Sequence, residues 1–155
     1  MSYSKDIYRL ITRHLDAKGY RYEFDADKEL IRMSFSIDCK LSSCDVLIDL
    51  RDDKYIVYSK IDMNADEQSR PEMAKLLAYI NYGIIYGGFE MDFSDGEIRY
   101  RNPVNCNDFL PSDEIIRRSI SVPIAMMEKY GNALLGVMMG FIDAKTACEQ
   151  AEADD

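Results

Sequence analysis

Tryptophan is absent from the 155 residues, and histidine occurs once. Cysteine is confined to Cys39, Cys44, Cys106 and Cys148, with no CxxC pair. A zinc site therefore lacks ligands at the required spacing, and no cofactor motif takes its place. Basic residues are in deficit, 19 Lys and Arg against 28 Asp and Glu, for a net charge of −9. Nucleic acid and anionic membranes both recruit a basic face, so neither is an expected partner. The longest strongly apolar run, 133–142, is about half a bilayer span and holds two glycines, which excludes a transmembrane helix there. The opening residues 1–6 lack the apolar core of a signal peptide, so the expected location is cytoplasmic. Cys39 and Cys44 flank a predicted hairpin loop and come near enough for pairing to stay open, with free thiols expected in a leaderless chain.

What is present is enough apolar material for a core: 47% of the residues are hydrophobic, which excludes a disordered acidic polymer. The length matches one domain. Charge is unevenly spread. Residues 1–61 carry 11 basic and 11 acidic groups, while 62–142 carry 7 and 12. Residues 143–155 hold only Lys145 against five carboxylates. The expected organisation is one domain over 1–142 and an acidic C-terminal tail over 143–155, solvated from Glu149 onward.

Local periodicity predicts the elements. Ile7, Leu10, Ile11, His14 and Leu15 recur at helical spacing over 4–18, with Ser4 suited to cap the start and Gly19 the stop. His14 lies in that apolar stripe and reads as a half-buried residue with a local partner. The period then drops to two. Tyr20, Tyr22 and Phe24 alternate with charged residues, as do Ile31, Met33, Phe35 and Ile37, then Cys44, Val46, Ile48 and Leu50. This predicts an antiparallel meander with one buried face, closed by a strand from Tyr55 to about Met63. In that last strand Ile56 and Tyr58 make the second face apolar as well, as a central strand or a partner-covered face requires.

Pro71 suits the first turn of a second helix whose stripe is Met73, Leu76, Leu77 and Ile80. Gly83, Gly87 and Gly88 follow, without the strand or spacing of a dinucleotide fingerprint. Asp95-Gly96 predicts a two-residue hairpin turn, pairing Phe93 with Ile98 and Met91 with Tyr100 inside, and Asp92 with Arg99 and Glu90 with Arg101 outside. A calcium loop is excluded, because Met91 would fall at its first ligand position. After a loop over 102–111, Ser112 can cap a long helical stretch that Pro123 is expected to kink or split. The predicted fold class is α+β, an antiparallel β-sheet packed by helices in the order α-β-β-β-β-α-β-β-α.

Residues 77–81 (LAYIN), 88–92 (GFEMD) and 95–101 (DGEIRYR), with the small and apolar residues of 130–140, resemble the YbjN family. The resemblance covers most of 4–142 and is most specific over 81–101. It implies a fold like that of type III secretion chaperones, a homodimer, and a role described as sensory-transduction regulation. It supplies no catalytic residues.

Three functional readings were weighed on the residues. The first is a non-enzymatic protein-binding, adaptor or chaperone-like module. It draws on the resemblance and on nine methionines, a residue suited to adaptable surfaces. Its candidate partner-binding residues are Ile56, Tyr58, Met126 and Met138. The alternative is a small-molecule sensor holding its ligand between the sheet and the C-terminal helix, with tyrosines supplying polar tips. An enzyme would have to draw on Asp52, Asp53, Asp62, Asp66 or Glu67, yet no nucleophile or phosphate loop accompanies them.

Overall fold

The computed structural model describes residues 2–153. Helix α1 (Lys5–Lys18) begins where the Ser4 hydroxyl accepts from the Ile7 amide and ends at Gly19, in the left-handed conformation at φ 71°. Strands β1 (Glu23–Asp25), β2 (Leu30–Ser36), β3 (Ser43–Leu50) and β4 (Lys54–Lys60) form the meander. Helix α2 (Arg70–Tyr82), strands β5 (Gly88–Met91) and β6 (Ile98–Asn105), and helices α3 (Asp113–Met138) and α4 (Ala144–Glu152) complete the chain. All strand pairs are antiparallel, and the sheet order is β1-β2-β3-β4-β6-β5. The class and the element order agree with the sequence reading, with one helix added.

Alternation along each strand sorts the sheet into two faces. Ile31, Met33, Val46, Ile48, Leu50, Tyr55, Val57, Ile98 and Tyr100 enter the core with Ile7, Ile11 and Leu15 of α1 and Ile120, Met127 and Leu134 of α3. The opposite face carries Arg32, Asp45, Leu47, Ile56, Tyr58, Lys60, Arg99 and Arg101.

Pro123 neither splits nor ends α3. Proline removes the amide that would bond the carbonyl four residues back, on Ser119. Asn102 on β6 replaces that donor, its Nδ2 lying 3.2 Å from the Ser119 carbonyl oxygen. Beside it, the Tyr55 and Ser119 hydroxyls are 2.7 Å apart, and the Ser59 hydroxyl donates to the Pro123 carbonyl at 2.8 Å. The sheet thus repairs the helix from outside, and among the described residues no buried side-chain nitrogen or oxygen lacks a partner.

Three expectations need correction. First, β5 and β6 pair Phe89 with Tyr100, Glu90 with Arg99 and Met91 with Ile98, two residues away from the predicted register. A shift of two preserves the faces, so Tyr100 stays inside and Arg99 outside. It leaves Phe93 exposed in a wide loop rather than paired with Ile98. The cause is tertiary: Gly96, at φ 80°, bonds Ala65 through its carbonyl, and a Cβ there would lie 1.9 Å from the Ala65 oxygen. Second, strand β6 runs on to Asn105 where a loop was expected, pairing Pro103 with Ile56 beyond the reach of β5. Proline fits there because that side of the strand has no further partner.

Third, residues 144–152 of the expected acidic tail form a helix that packs through its first half, while Glu149, Gln150 and Glu152 stay exposed. Asp143 caps it by accepting from the Thr146 amide at 2.9 Å, and the Ala144 amide donates to Glu72 of α2 at 2.7 Å. Ala144, Ala147 and Cys148 are buried, and Glu152 accepts from the Tyr130 hydroxyl. The spacing 144, 147, 148, 151 of small residues is a helical stripe, which the acidic composition masked. Asp154 and Asp155, the end of that predicted tail, lie outside the described residues. No helix among the described residues is long and apolar enough to cross a membrane.

Candidate functional site

Helix α2 buries Met73, Leu76, Leu77 and Ile80, which leaves Tyr79 and Tyr82 on its other side. The chain then turns through 83–87 into β5. Tyr82, Ile85 and Tyr86 keep 96%, 86% and 76% of their surface exposed. That exposure is not the result of a loose loop. The Tyr100 hydroxyl, rooted in the core, donates to the Tyr86 carbonyl, and the Ile84 amide donates to Asn81 at 3.1 Å. Gly87 sits at φ 71°, where a Cβ would lie 2.4 Å from the Arg101 oxygen. The backbone is clamped to β6, and the large side chains are left pointing outward. Exposed apolar side chains grouped on a fixed scaffold are the mark of an interaction surface.

The sheet edge beneath this loop is closed. Asn81 bonds both backbone groups of Phe89: its Nδ2 donates to the carbonyl at 2.8 Å, and its Oδ1 accepts from the amide at 2.9 Å. One carboxamide therefore occupies the positions that a neighbouring strand would take, which blunts the edge of β5. Gly88 lies against this carboxamide, where a Cβ would make ordinary contact at 3.4 Å from the Asn81 oxygen. The stretch that carries the family resemblance thus has a structural reason.

The four partner residues read from sequence are not brought together. Ile56 is half-buried and lines a concavity of about 460 Å³ with Pro103, Arg101, Glu90 and Gly88, next to the exposed loop. Tyr58 is buried beneath Arg99, whose guanidinium lies 4.1 Å from the ring centroid. Arg99 is held in turn by Glu90, which also reaches Arg101. The apolar second face of β4 is thereby partly covered by the chain's own charges. Met126 is half-buried on α3. Met138 is 8% exposed and packs in the chain's own core. Tyr82, Ile85 and Tyr86 were missed. Their signal was an uncharged aromatic run between glycines, off the buried stripe of α2.

The groups an enzyme could use are engaged otherwise. Asp53 pairs with Lys54, and Asp66 accepts from the Ser69 amide, each holding its carboxyl below the usual range. Asp62 is raised by sharing a hydrogen bond with Asp45 on the exposed rim. Burial pushes the Cys44 thiol up to about 11, and burial with the Glu152 carboxylate does the same to Cys148. Such thiols stay protonated and unreactive at neutral pH. All four cysteines are free, Cys39 and Cys44 included. No group of three or more His, Cys, Asp or Glu stands ready to hold a metal among the described residues. His14 is 4% exposed rather than half-buried, and its partner is not local: Asp113, at the start of α3, lies 2.8 Å from its Nδ1.

A search of curated proteins finds no match. The family model YbjN, described as "Putative bacterial sensory transduction regulator", matches residues 8–136. Those residues run from α1 through most of α3, and include the Asn81 clamp and the glycine-bounded loop. The chain belongs to the YbjN family.

Proposed function

We propose that this chain is a non-enzymatic regulatory module that binds protein through the surface formed by Tyr79, Tyr82, Ile85 and Tyr86, with Ile56 and Pro103 at its border. The observation that carries the reading is the exposure of three large side chains, Tyr82 at the end of α2 and Ile85 and Tyr86 on the clamped loop that follows. The description of the family as a regulator supports it. A second copy of the chain is the first partner. At their exposures the four side chains offer about 600 Å² per copy, so a two-fold contact reaches about 1,200 Å², the lower bound of stable interfaces. Asn81 closes the β5 edge, so docking proceeds through side chains rather than strand addition. Its place of action is the cytoplasm, where four free thiols persist.

Light scattering across a concentration series tests this. The wild type is expected to dimerise, and Y82S/I85S/Y86S to remain monomeric with unchanged thermal stability, because those side chains pack against little of the chain. A wild type that is monomeric throughout, or a variant that dimerises equally well, refutes the assignment. Direct bonds from Tyr55, Ser59 and Asn102 to Ser119 and Pro123 join sheet and helix there, so a ligand held between the two has to sit elsewhere along α3.

A further inference from the structure

His14 is 4% exposed, yet it lines a groove of about 400 Å³ between α1 and α3. Its Nδ1 faces the Asp113 carboxylate at 2.8 Å. A carboxylate only accepts, so the neutral form of the ring carries its proton on Nδ1 and offers Nε2 as an acceptor. Nε2 makes no hydrogen bond to the described protein atoms. Since no buried side-chain nitrogen among them lacks a partner, Nε2 keeps contact with solvent, and the groove is where it does so. The ring is thus a polar contact held in one tautomer and one orientation before any ligand arrives.

The surroundings define what fits. Tyr20 and Phe35 meet edge to face, 5.1 Å between centroids, and Ile120 and Ile124 form the α3 wall. Near His14 the rim carries Lys18 and Arg117 together with the carboxylates of Asp113, on Nδ1, and Glu114, on Arg117. Glu128 stands eleven residues beyond Arg117 on α3, about 16 Å away along the helix axis. Glu114 occupies the Arg117 guanidinium at 2.8 and 2.6 Å, whereas Lys18 forms no ion pair among the described residues. An apolar, L-shaped aromatic corner, one oriented acceptor and one uncommitted cation at the same end make a small, directional site.

We propose that this groove binds a small aromatic carboxylate bearing a ring N–H or O–H. The ring lies on Phe35, Tyr20 and Ile124, its donor bonds His14 Nε2, and its carboxylate meets Lys18. The site is distinct from the aromatic surface of α2 and stands whether or not that surface docks a partner.

Three probes titrated into the full chain and followed by amide chemical shifts test it: indole-3-acetate, 1-naphthaleneacetate, which lacks the N–H, and indole, which lacks the carboxylate. Indole-3-acetate is expected to bind with shifts confined to α1, Phe35 and α3, about tenfold tighter than either control. His14→Phe should equalise the two acids, and Lys18→Gln should equalise indole-3-acetate and indole. Lys18 is at the surface, so that arm holds even if the histidine variant fails to fold. Equal affinity of the three probes for the wild type, shifts outside the groove, or no shift up to about 10 mM probe overturns the proposal.

Discussion

A proline inside α3 is tolerated because a side chain from the sheet does the work of the missing amide, and that exchange can be measured. Asn102→Ala removes the donor at 3.2 Å and leaves the carbonyl of the buried Ser119 without a partner. An orphaned buried carbonyl costs about 1–3 kcal/mol. Taking about 2 kcal/mol and a urea slope near 2 kcal/mol/M, the midpoint falls by about 1 M. Pro123→Ala restores an N–H at the position that bonds Ser119 within the helix. In that background Asn102→Ala should cost about 0.5 kcal/mol or less, giving a coupling of about 1.5 kcal/mol. Ser59→Ala is the control, because its hydroxyl meets the Pro123 carbonyl, which exists whichever residue stands there. Four proteins and the control, unfolded in urea with matched slopes, complete the cycle. If the Asn102 and Pro123 effects add to within about 0.5 kcal/mol, Asn102 is not the substitute donor.

Two further outcomes follow from the site and its charges. Asn81→Leu keeps the volume but frees both backbone groups of Phe89, so hydrogen exchange at the Phe89 amide should accelerate at least about tenfold, with self-association through β5; unchanged protection refutes the edge clamp. Glu114 has its pKa lowered to about 2 by the Arg117 guanidinium, from an ordinary 4.5. A depressed carboxylate stabilises above its unfolded pKa and loses that contribution as pH falls through the folded one. Thermal midpoints of wild type and Glu114→Gln should therefore differ at pH 7 and converge between pH 4.5 and 2; a gap that stays constant over that window refutes the pairing.

Local patterns were legible where one short range of sequence decides the outcome. Ser4 and Gly19 bound α1 as read, because capping involves neighbours in the chain. Alternation placed the inner faces of β2 and β3 correctly, because the pleat has a period of two. The β5–β6 turn looked equally local, yet its register slipped by two. Gly96 is held by Ala65, thirty-one residues away, and no turn rule contains that contact. Helix α4 was hidden differently: its stripe was in the sequence, but the partners that bury it, Glu72 and Tyr130, come from two other helices.

By itself, then, the order of residues determined the class of the protein: the order of its strands and of its first three helices, and which face of each is buried. It carried the family match as well. Whether an apolar residue ends inside or outside was a tertiary decision. Met138 is buried in the core, whereas Ile85 and Tyr86 are left out because Tyr100 and Gly87 hold the loop that bears them against β6, and Tyr82 because it lies off the buried stripe of α2. The same holds for His14, whose meaning depends on Asp113, ninety-nine positions along the chain. Propensity and periodicity act over a few residues, whereas exposure, tautomer and groove are set by whatever the folded chain brings alongside.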